Sequence, residues 1–339
     1  MKYAITGGAG FIGINFANSL AKQGHEVILV DNLSRPSVTN NLDWIIGEHG
    51  KRVRFVYADI RSDQRRLSEI AEEADVIFHL AGQVAVTTSV IDPREDFEIN
   101  ALGTFNLIEA IRKAANNPIL IYASTNKVYG GMEDVEVVEH DTRYEYRDFP
   151  QGIQETRGLD FHSPYGCSKG SADQYVVDYS RIYGLRTVVM RQSCIYGTRQ
   201  FGVEDQGWVA WFIIASALGK PITIFGDGKQ IRDVLFVDDL FDVFQRAVEK
   251  IDQVSGEIFN IGGGASNTMS LLELIELLKQ KHKYKITYDF SDWRPGDQPV
   301  YVSDINKAKK MLDWKPKIGI DVGVARLSDW VRENIHLFG

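Results

Sequence analysis

Tyr3-Ala4-Ile5-Thr6-Gly7-Gly8-Ala9-Gly10-Phe11-Ile12-Gly13 runs from an apolar segment through glycines into a helical pattern. The apolar segment reads as a buried strand. Phe11 to Gln23, stopped by Gly24, reads as a helix. Gly7 permits the tight turn at the strand end, Gly10 lets backbone approach a phosphate, and Gly13 lets the helix pack close to the sheet. The helix start, with Phe11 and Ile12, adds free N–H groups and a positive dipole end, so the turn is a candidate pyrophosphate cradle. Asp31, with Asn32 beside it, follows the next apolar run, Glu26–Val30, roughly 20 residues on, where a carboxylate accepts from ribose hydroxyls. The same carboxylate repels a 2′-phosphate, which favours NAD over NADP, while Arg35 nearby keeps NADP open. A lone glycine pattern is weak; here strand, turn, helix and carboxylate stand in the required order.

Outward from this unit, Val53–Tyr57, Asp75–His79, Ile119–Tyr122 and Thr187–Met190 read as further strands. Helical patterns fill the gaps, notably Phe97 to Ala114 and Tyr165 to Tyr183. Near-continuous apolar strands alternating with helices predict an α/β fold, a Rossmann-type doubly wound parallel sheet covered on both faces. The second half is less regular, and most of its glycine, tryptophan and proline punctuation falls in Phe201 to Gln230 and Ser266 to Pro316. Val234–Val237 and Ile258–Ile261 look like strands again. The expected division is therefore a dinucleotide domain over 1–195 with returns near 233–262, and a smaller, partly discontinuous substrate lobe over 196–339. Ser270 and Glu273 form a capping box. The Lys279, Lys281, Lys283, Lys285 run behind that helix reads as a solvated helix end rather than an anion site.

The 339 residues exceed one ordinary core, and 44% hydrophobic with 25% charged residues is globular composition. A net charge of −8, from 38 basic and 46 acidic residues, disfavours a nucleic-acid partner. Cys167 and Cys194 cannot build a disulfide framework, and no apolar stretch reaches the ~20 residues that span a bilayer. A cytoplasmic protein with no membrane partner and no metal site is expected.

Ligands of such sheets sit beyond the strands' carboxyl ends. Asp59-Ile60 ends the third strand, where it meets either an adenine or only its own turn. Leu80-Ala81-Gly82-Gln83 ends the fourth, with small residues that leave room for a cofactor. Asn100, in the following helical pattern, reads as a buried hydrogen-bonding residue and is carried as a candidate cofactor contact. Tyr165 and Lys169 lie at i and i+4 on one helix face, about 6 Å apart along the axis. Ser163-Pro164 suits the start of that helix. A phenol ionises near pH ~10. A neighbouring ammonium and an oxidised nicotinamide would lower that value and make a general base. Ser124 and Thr125 end the fifth strand at the same sheet edge, and either hydroxyl can orient a substrate oxygen. Spacing back from Val128-Tyr129-Gly130 favours Thr125.

Together these residues resemble the extended short-chain dehydrogenase/reductases, and the resemblance covers essentially the whole chain. It implies bound NAD, a nucleotide-sugar substrate and a homodimer or homotetramer, with the Phe97–Ala114 and Tyr165–Tyr183 helices as the interface. Lys220 to Gly228, Arg232-Asp233 and Arg294-Pro295-Gly296-Asp297 are similar to that family's nucleotide-sugar segments. In the family, the arginines matching Arg232 and Arg294 hold the diphosphate, as a guanidinium fork suits phosphate. Surface ion pairing with Asp227, Asp233 or Asp297 is the plainer alternative. The runs Ser124–Gly130, Leu159–Lys169, Arg191–Gly197 and Gln200–Val209 are similar to the branch that inverts C2 of CDP-linked sugars. Two substitutions support that branch. Cys194 stands where many relatives carry Asn, and Asn126-Lys127 stands where the 4,6-dehydratases carry the Asp-Glu that eliminates water. Asn126 and Cys194 are thus candidate substrate contacts, Cys194 being equally a small buried hydrophobe. The role of Lys127 stays open. The rival expectations are a UDP-sugar 4-epimerase, a nucleotide-sugar reductase, and an NAD-sensing binding protein. The last usually lacks the Tyr or the Lys.

Overall fold

The computed structural model describes residues 1–294 and 296–338. Pro295 of the Arg294–Asp297 segment, and Gly339, lie outside the described residues. Seven strands form the main sheet: β1 (Lys2–Thr6), β2 (Glu26–Asp31), β3 (Val53–Tyr57), β4 (Val76–His79), β5 (Ile119–Thr125), β6 (Thr187–Gln192) and β7 (Ile258–Ile261). Their order is β7-β6-β5-β4-β1-β2-β3. All pairs are parallel, so every carboxyl end lies along one edge. The chain runs from β1 outward through β2 and β3, then crosses back to β4. The switch point, where such sheets bind ligands, therefore falls between β1 and β4.

Each central strand is apolar on both faces because both are covered. Ile5, Leu29, Phe78 and Ile121 face one core layer, with Phe16 and Leu20 of α1 (Phe11–Lys22) and Phe244 above them. Phe244 meets Phe16 and Phe78 edge-on at 5.1 and 5.4 Å. Ala4, Ile28, Ile77 and Leu120 face the other, under Leu107 and Ile108 of α2 (Gly103–Lys113) and Val176 of α3 (Ser163–Tyr183).

Three expectations change. First, the Phe97–Ala114 pattern is not a plain helix. A helix over Pro93–Phe97 passes into a π-turn, Glu98–Leu102, before α2 begins. There the Thr104 hydroxyl donates to the Asn100 carbonyl at 2.6 Å, and π-turns of this kind concentrate at functional sites. Second, segments of the first half pack with strands of the second half. The hairpin Val137–Glu139/Tyr144–Tyr146 sits beside Ile231, Val300 and Val302, and Ile153 bridges to Ser303. Third, only β7 of the returning segment joins the main sheet. Ile231–Phe236 pairs instead with Cys194–Tyr196, Thr268–Ser270 and Val300–Tyr301. The expected capping box at Ser270 and Glu273 is present.

Candidate active site

The glycine turn lies at the switch point. Gly7 has a φ of 68°, and a Cβ there would stand 2.7 Å from the Ala81 nitrogen at the end of β4. A Cβ on Gly13 would stand 2.5 Å from the Gly7 carbonyl. At Gly10 a Cβ would meet only that carbonyl, at 3.2 Å, so the turn is open on this side. Asp31 braces it, accepting from the Ala9 N–H at 3.1 Å and the Leu33 N–H at 2.8 Å, while burial raises its carboxyl above the ordinary value.

The other strand ends converge here. Asp59 accepts from Arg61 Nη2 at 2.7 Å and Asn32 Nδ2 at 3.0 Å, and the Arg61 bond first among these holds its carboxyl down to about 2. Asp59 thus makes these bonds at the strand ends. Ile60 is buried against Gly103, where a Cβ would stand 2.5 Å from its side chain. Below Leu80 and Ala81, buried His79 hydrogen-bonds Thr6 at 2.6 Å and Thr104 at 2.9 Å. Burial pushes this imidazole down to about 3, so it stays neutral. Asn100, on the π-turn, accepts from the Gln83 N–H at 3.0 Å. It also donates to the Gln83 carbonyl, to Asp96 at 3.1 Å and to Ser168 at 3.2 Å. Asn100 therefore fixes the Gly82–Gln83 loop from behind.

The Tyr165 face of α3 packs along β5. The Ser163 hydroxyl accepts from the Gly166 N–H at 3.2 Å at the helix start, with Ser163 itself in the left-handed region rather than extended. Lys169 Nζ donates to the Ala123 carbonyl at 2.6 Å and lies 4.3 Å from the Tyr122 ring centre. One turn on, Asp173 accepts two bonds of 2.9 Å from buried Arg191 and a 2.7 Å bond from Ser124. Arg191 also donates to Tyr129 at 3.0 Å. Ser124 thereby gives its hydroxyl hydrogen to a buried ion pair. Thr125 is left beside the phenol, with Asn126 Oδ1 3.3 Å from its hydroxyl.

Burial pushes Tyr165 up to about 12, Thr125 favours the phenolate, and Asp96 opposes it. Burial also pushes Lys169 down to about 7, against Asp173 and Asp96. Lys169 therefore does not lower the phenol by itself. Cys194 is raised to about 12 by burial and is unreactive at neutral pH. Arg232 pairs with Asp297 at 2.5 Å and Arg294 with Asp205 at 2.8 Å, so both candidate diphosphate ligands are held by carboxylates. Of the other anticipated partners, Asp227 accepts from Tyr144 at 2.5 Å and Asp233 from Ser193.

These residues fit a dinucleotide. Besides the open Gly10 side, buried Gln83 Oε1 and Gln192 Nε2 lie at the carboxyl ends of β4 and β6 with no partner among the described residues. Sequence reasoning missed His79, Asp96, Asp173 and Arg191. Only Asp173, one more helical step along the Tyr165/Lys169 stripe, carried a usable signal.

The chain matches the GDP-mannose 4,6 dehydratase family over residues 4–327. It is 47% identical to a CDP-paratose 2-epimerase of Salmonella typhi, over 97% of this chain and 99% of that one. A UDP-glucose 4-epimerase of Thermotoga maritima, solved with UDP-glucose, superposes with a TM-score of 0.84 at 31% identity, over 99% of this chain and 100% of that one. A UDP-glucuronic acid 4-epimerase of Bacillus cereus, solved with UDP-glucuronic acid and NAD, gives 0.83 at 29% identity, over 98% and 99%.

Proposed function

This chain belongs to the GDP-mannose 4,6 dehydratase family of extended short-chain dehydrogenase/reductases, and from that premise we propose that it inverts C2 of CDP-paratose to give CDP-tyvelose. It is a nucleotide-sugar enzyme of an NAD-using family. The observation that carries the substrate is the 47% identity to a CDP-paratose 2-epimerase across both chains. The local chemistry agrees. Asn126 and Lys127 stand in place of the acids that would eliminate water, and Tyr165, Thr125 and Lys169 meet at one sheet edge.

C2 has no acidified C–H bond, because the anomeric oxygen is tied to the nucleotide and oxidation at C4 would activate only C3 and C5. Inversion therefore passes through a 2-keto sugar. The Gly7–Gly13 turn and Asp31 would hold NAD, which would supply the hydride acceptor and then the donor. Tyr165 takes the proton of the C2 hydroxyl and returns it after the sugar has presented its other face. Thr125 orients the C2 oxygen. Lys169, beside Gly82 and the Ala123 carbonyl, holds the nicotinamide ribose. With burial holding the phenol up to about 12, Tyr165 would need the positive charge of a bound oxidised nicotinamide, and not Lys169 alone, to act as the base.

Oligomerisation is part of the proposal. Phe97, Phe105, Tyr175, Ile182 and Tyr183 expose large apolar surface around α2 and α3, which supports a homodimer or tetramer. No helix among the described residues is long and apolar enough to cross a membrane. We place the enzyme in the cytoplasm, supplying dideoxysugar for lipopolysaccharide O-antigen.

The purified protein is expected to carry NAD and to convert CDP-paratose without net NADH production. UDP-glucose and UDP-glucuronate should turn over at much lower kcat/KM. Preferred 4-epimerisation of a UDP-sugar would replace this reading with the 4-epimerase one, which the UDP-glucose 4-epimerase likeness favours. Stoichiometric NADH consumption would replace it with a reductase.

A further inference from the structure

Lys127 and Arg232 both reach the Gly296–Gln298 segment that follows Arg294, and Lys127 differs from the two arginines. Arg232 is neutralised by Asp297 and further held by the Ile231 and Gln298 carbonyls at 2.7 and 2.8 Å. Arg294 is neutralised by Asp205, and its guanidinium carbon stacks 3.7 Å from the Phe225 ring centre. Lys127 Nζ makes only long bonds, 3.3 Å to the Gly296 carbonyl and 3.5 Å to Gln298 Oε1, and forms no ion pair among the described residues. Burial and the neighbouring Arg232 push its ammonium down to about 8, only partly opposed by Asp297. An ammonium beside a guanidinium, reaching only two distant acceptor oxygens, lacks an anion, and an incoming phosphate would offset both the repulsion and the cost of desolvation.

Lys127 is also tied to the chemistry. Its own backbone N–H donates to the Thr125 hydroxyl at 3.2 Å, so the ammonium and the substrate-orienting oxygen share one rigid turn. In a nucleotide sugar, C2 adjoins the anomeric carbon that carries the phosphate, whereas C4 lies across the ring. A cation on this turn brings the anomeric end of the sugar, and hence C2, toward Tyr165. We propose that Lys127 binds the sugar-linked phosphate and, by drawing it to the Thr125 turn, sets inversion at C2 rather than C4. Lys127 is thus a positioning residue, and the inference rests on the reading of the site as a nucleotide-sugar site.

Calorimetric titration of the NAD-loaded enzyme with CDP and with cytidine tests it, using Lys127→Met, Lys127→Gln and Lys127→Arg beside the wild type. The Met and Gln variants should bind CDP roughly tenfold or more weakly, bind cytidine as the wild type does, and turn over CDP-paratose with raised KM and lowered kcat. Arginine should restore most of the CDP affinity. Unchanged CDP affinity in Met and Gln, or equal loss of CDP and cytidine affinity in both with NAD content retained, would overturn the inference. Should Lys127→Met fail to hold NAD, Lys127→Gln and Lys127→Arg decide by the same comparison. The binding arm does not depend on turnover. If the wild type acts on UDP-sugars instead, the proposed substrate fails, and the same variants titrated with UDP and uridine judge Lys127 separately.

Discussion

The glycine turn and the Arg232 side of the site are held in place by different forces. At the turn, position comes from backbone: a left-handed Gly7 against Ala81, Gly13 against Gly7, and one carboxylate bracing the Ala9 and Leu33 amides. On the Arg232 side, position comes from charge pairs, Arg232 with Asp297 and Arg294 with Asp205. Close packing of this kind has one arrangement, so the cofactor end is prebuilt. Partly exposed ion pairs contribute little each and exchange partners readily, so a diphosphate bound there, as proposed, would replace those carboxylates at small cost. Between them, β5 and α3 carry Thr125, Tyr165 and Lys169 on a buried frame. The contrast predicts that substitutions in the frame cost rate or stability, whereas those on the Arg232 side cost substrate affinity.

The largest effect should come from Tyr165→Phe. Removing the acid–base group should lower kcat by about 10²–10⁴, with NAD content and circular dichroism unchanged. A variant that kept most of its turnover would move the proton transfer elsewhere. Next comes the frame itself. Asp173→Leu strands Arg191, 2% exposed, without its partner and should lower unfolding stability by about 3–5 kcal/mol. Adding Arg191→Met should recover much of that in urea melts; no recovery would mean the pair is not the unit that matters.

Acid should separate the two regions. His79, whose folded value of about 3 lies below its ordinary 6.5, stays neutral in the fold while the unfolded chain takes up a proton. Its contribution is therefore complete above about pH 6.5 and is lost as pH falls toward 3, by up to a few kcal/mol. Asp233, raised to about 6 from 3.8, runs the other way, losing stability as pH rises between those values. The difference in melting temperature between the wild type and His79→Asn isolates the histidine. That difference should shrink steadily from pH 7 to pH 4, and a constant difference would contradict the assignment. The smallest effect distinguishes neighbours on one strand. Ser124→Ala should lose about 1–3 kcal/mol of stability with kcat nearly intact. Thr125→Ala should lose kcat with stability nearly intact.

The strand ends and the turn could be read from the chain because their signals are local: an apolar run, a glycine with no room for a Cβ, a carboxylate at fixed spacing. The Tyr165/Lys169 face followed from helical period. The side of β5 that each hydroxyl serves could not be read. Ser124 is captured by Asp173, 49 residues away, and Arg191 completes that pair from a different strand. The π-turn was equally hidden, since Phe97 to Ala114 keeps an ordinary apolar period and the bulge is stabilised by the contacts of Asn100 and Thr104. Asp205, from the loop before Trp208, was unforeseen as the partner of Arg294 for the same reason. The chain's own groups do not depress the phenol of Tyr165, because burial raises it and also pushes the neighbouring Lys169 down; the nicotinamide charge that the expectation also invoked lies outside these groups.

The fate of one hydrogen tests oxidation and return at C2 most directly. CDP-paratose deuterated at C2, converted in ordinary water, should give CDP-tyvelose that keeps its deuterium at C2, with a primary isotope effect on turnover. Product carrying solvent hydrogen at C2 would contradict oxidation and return at a single carbon.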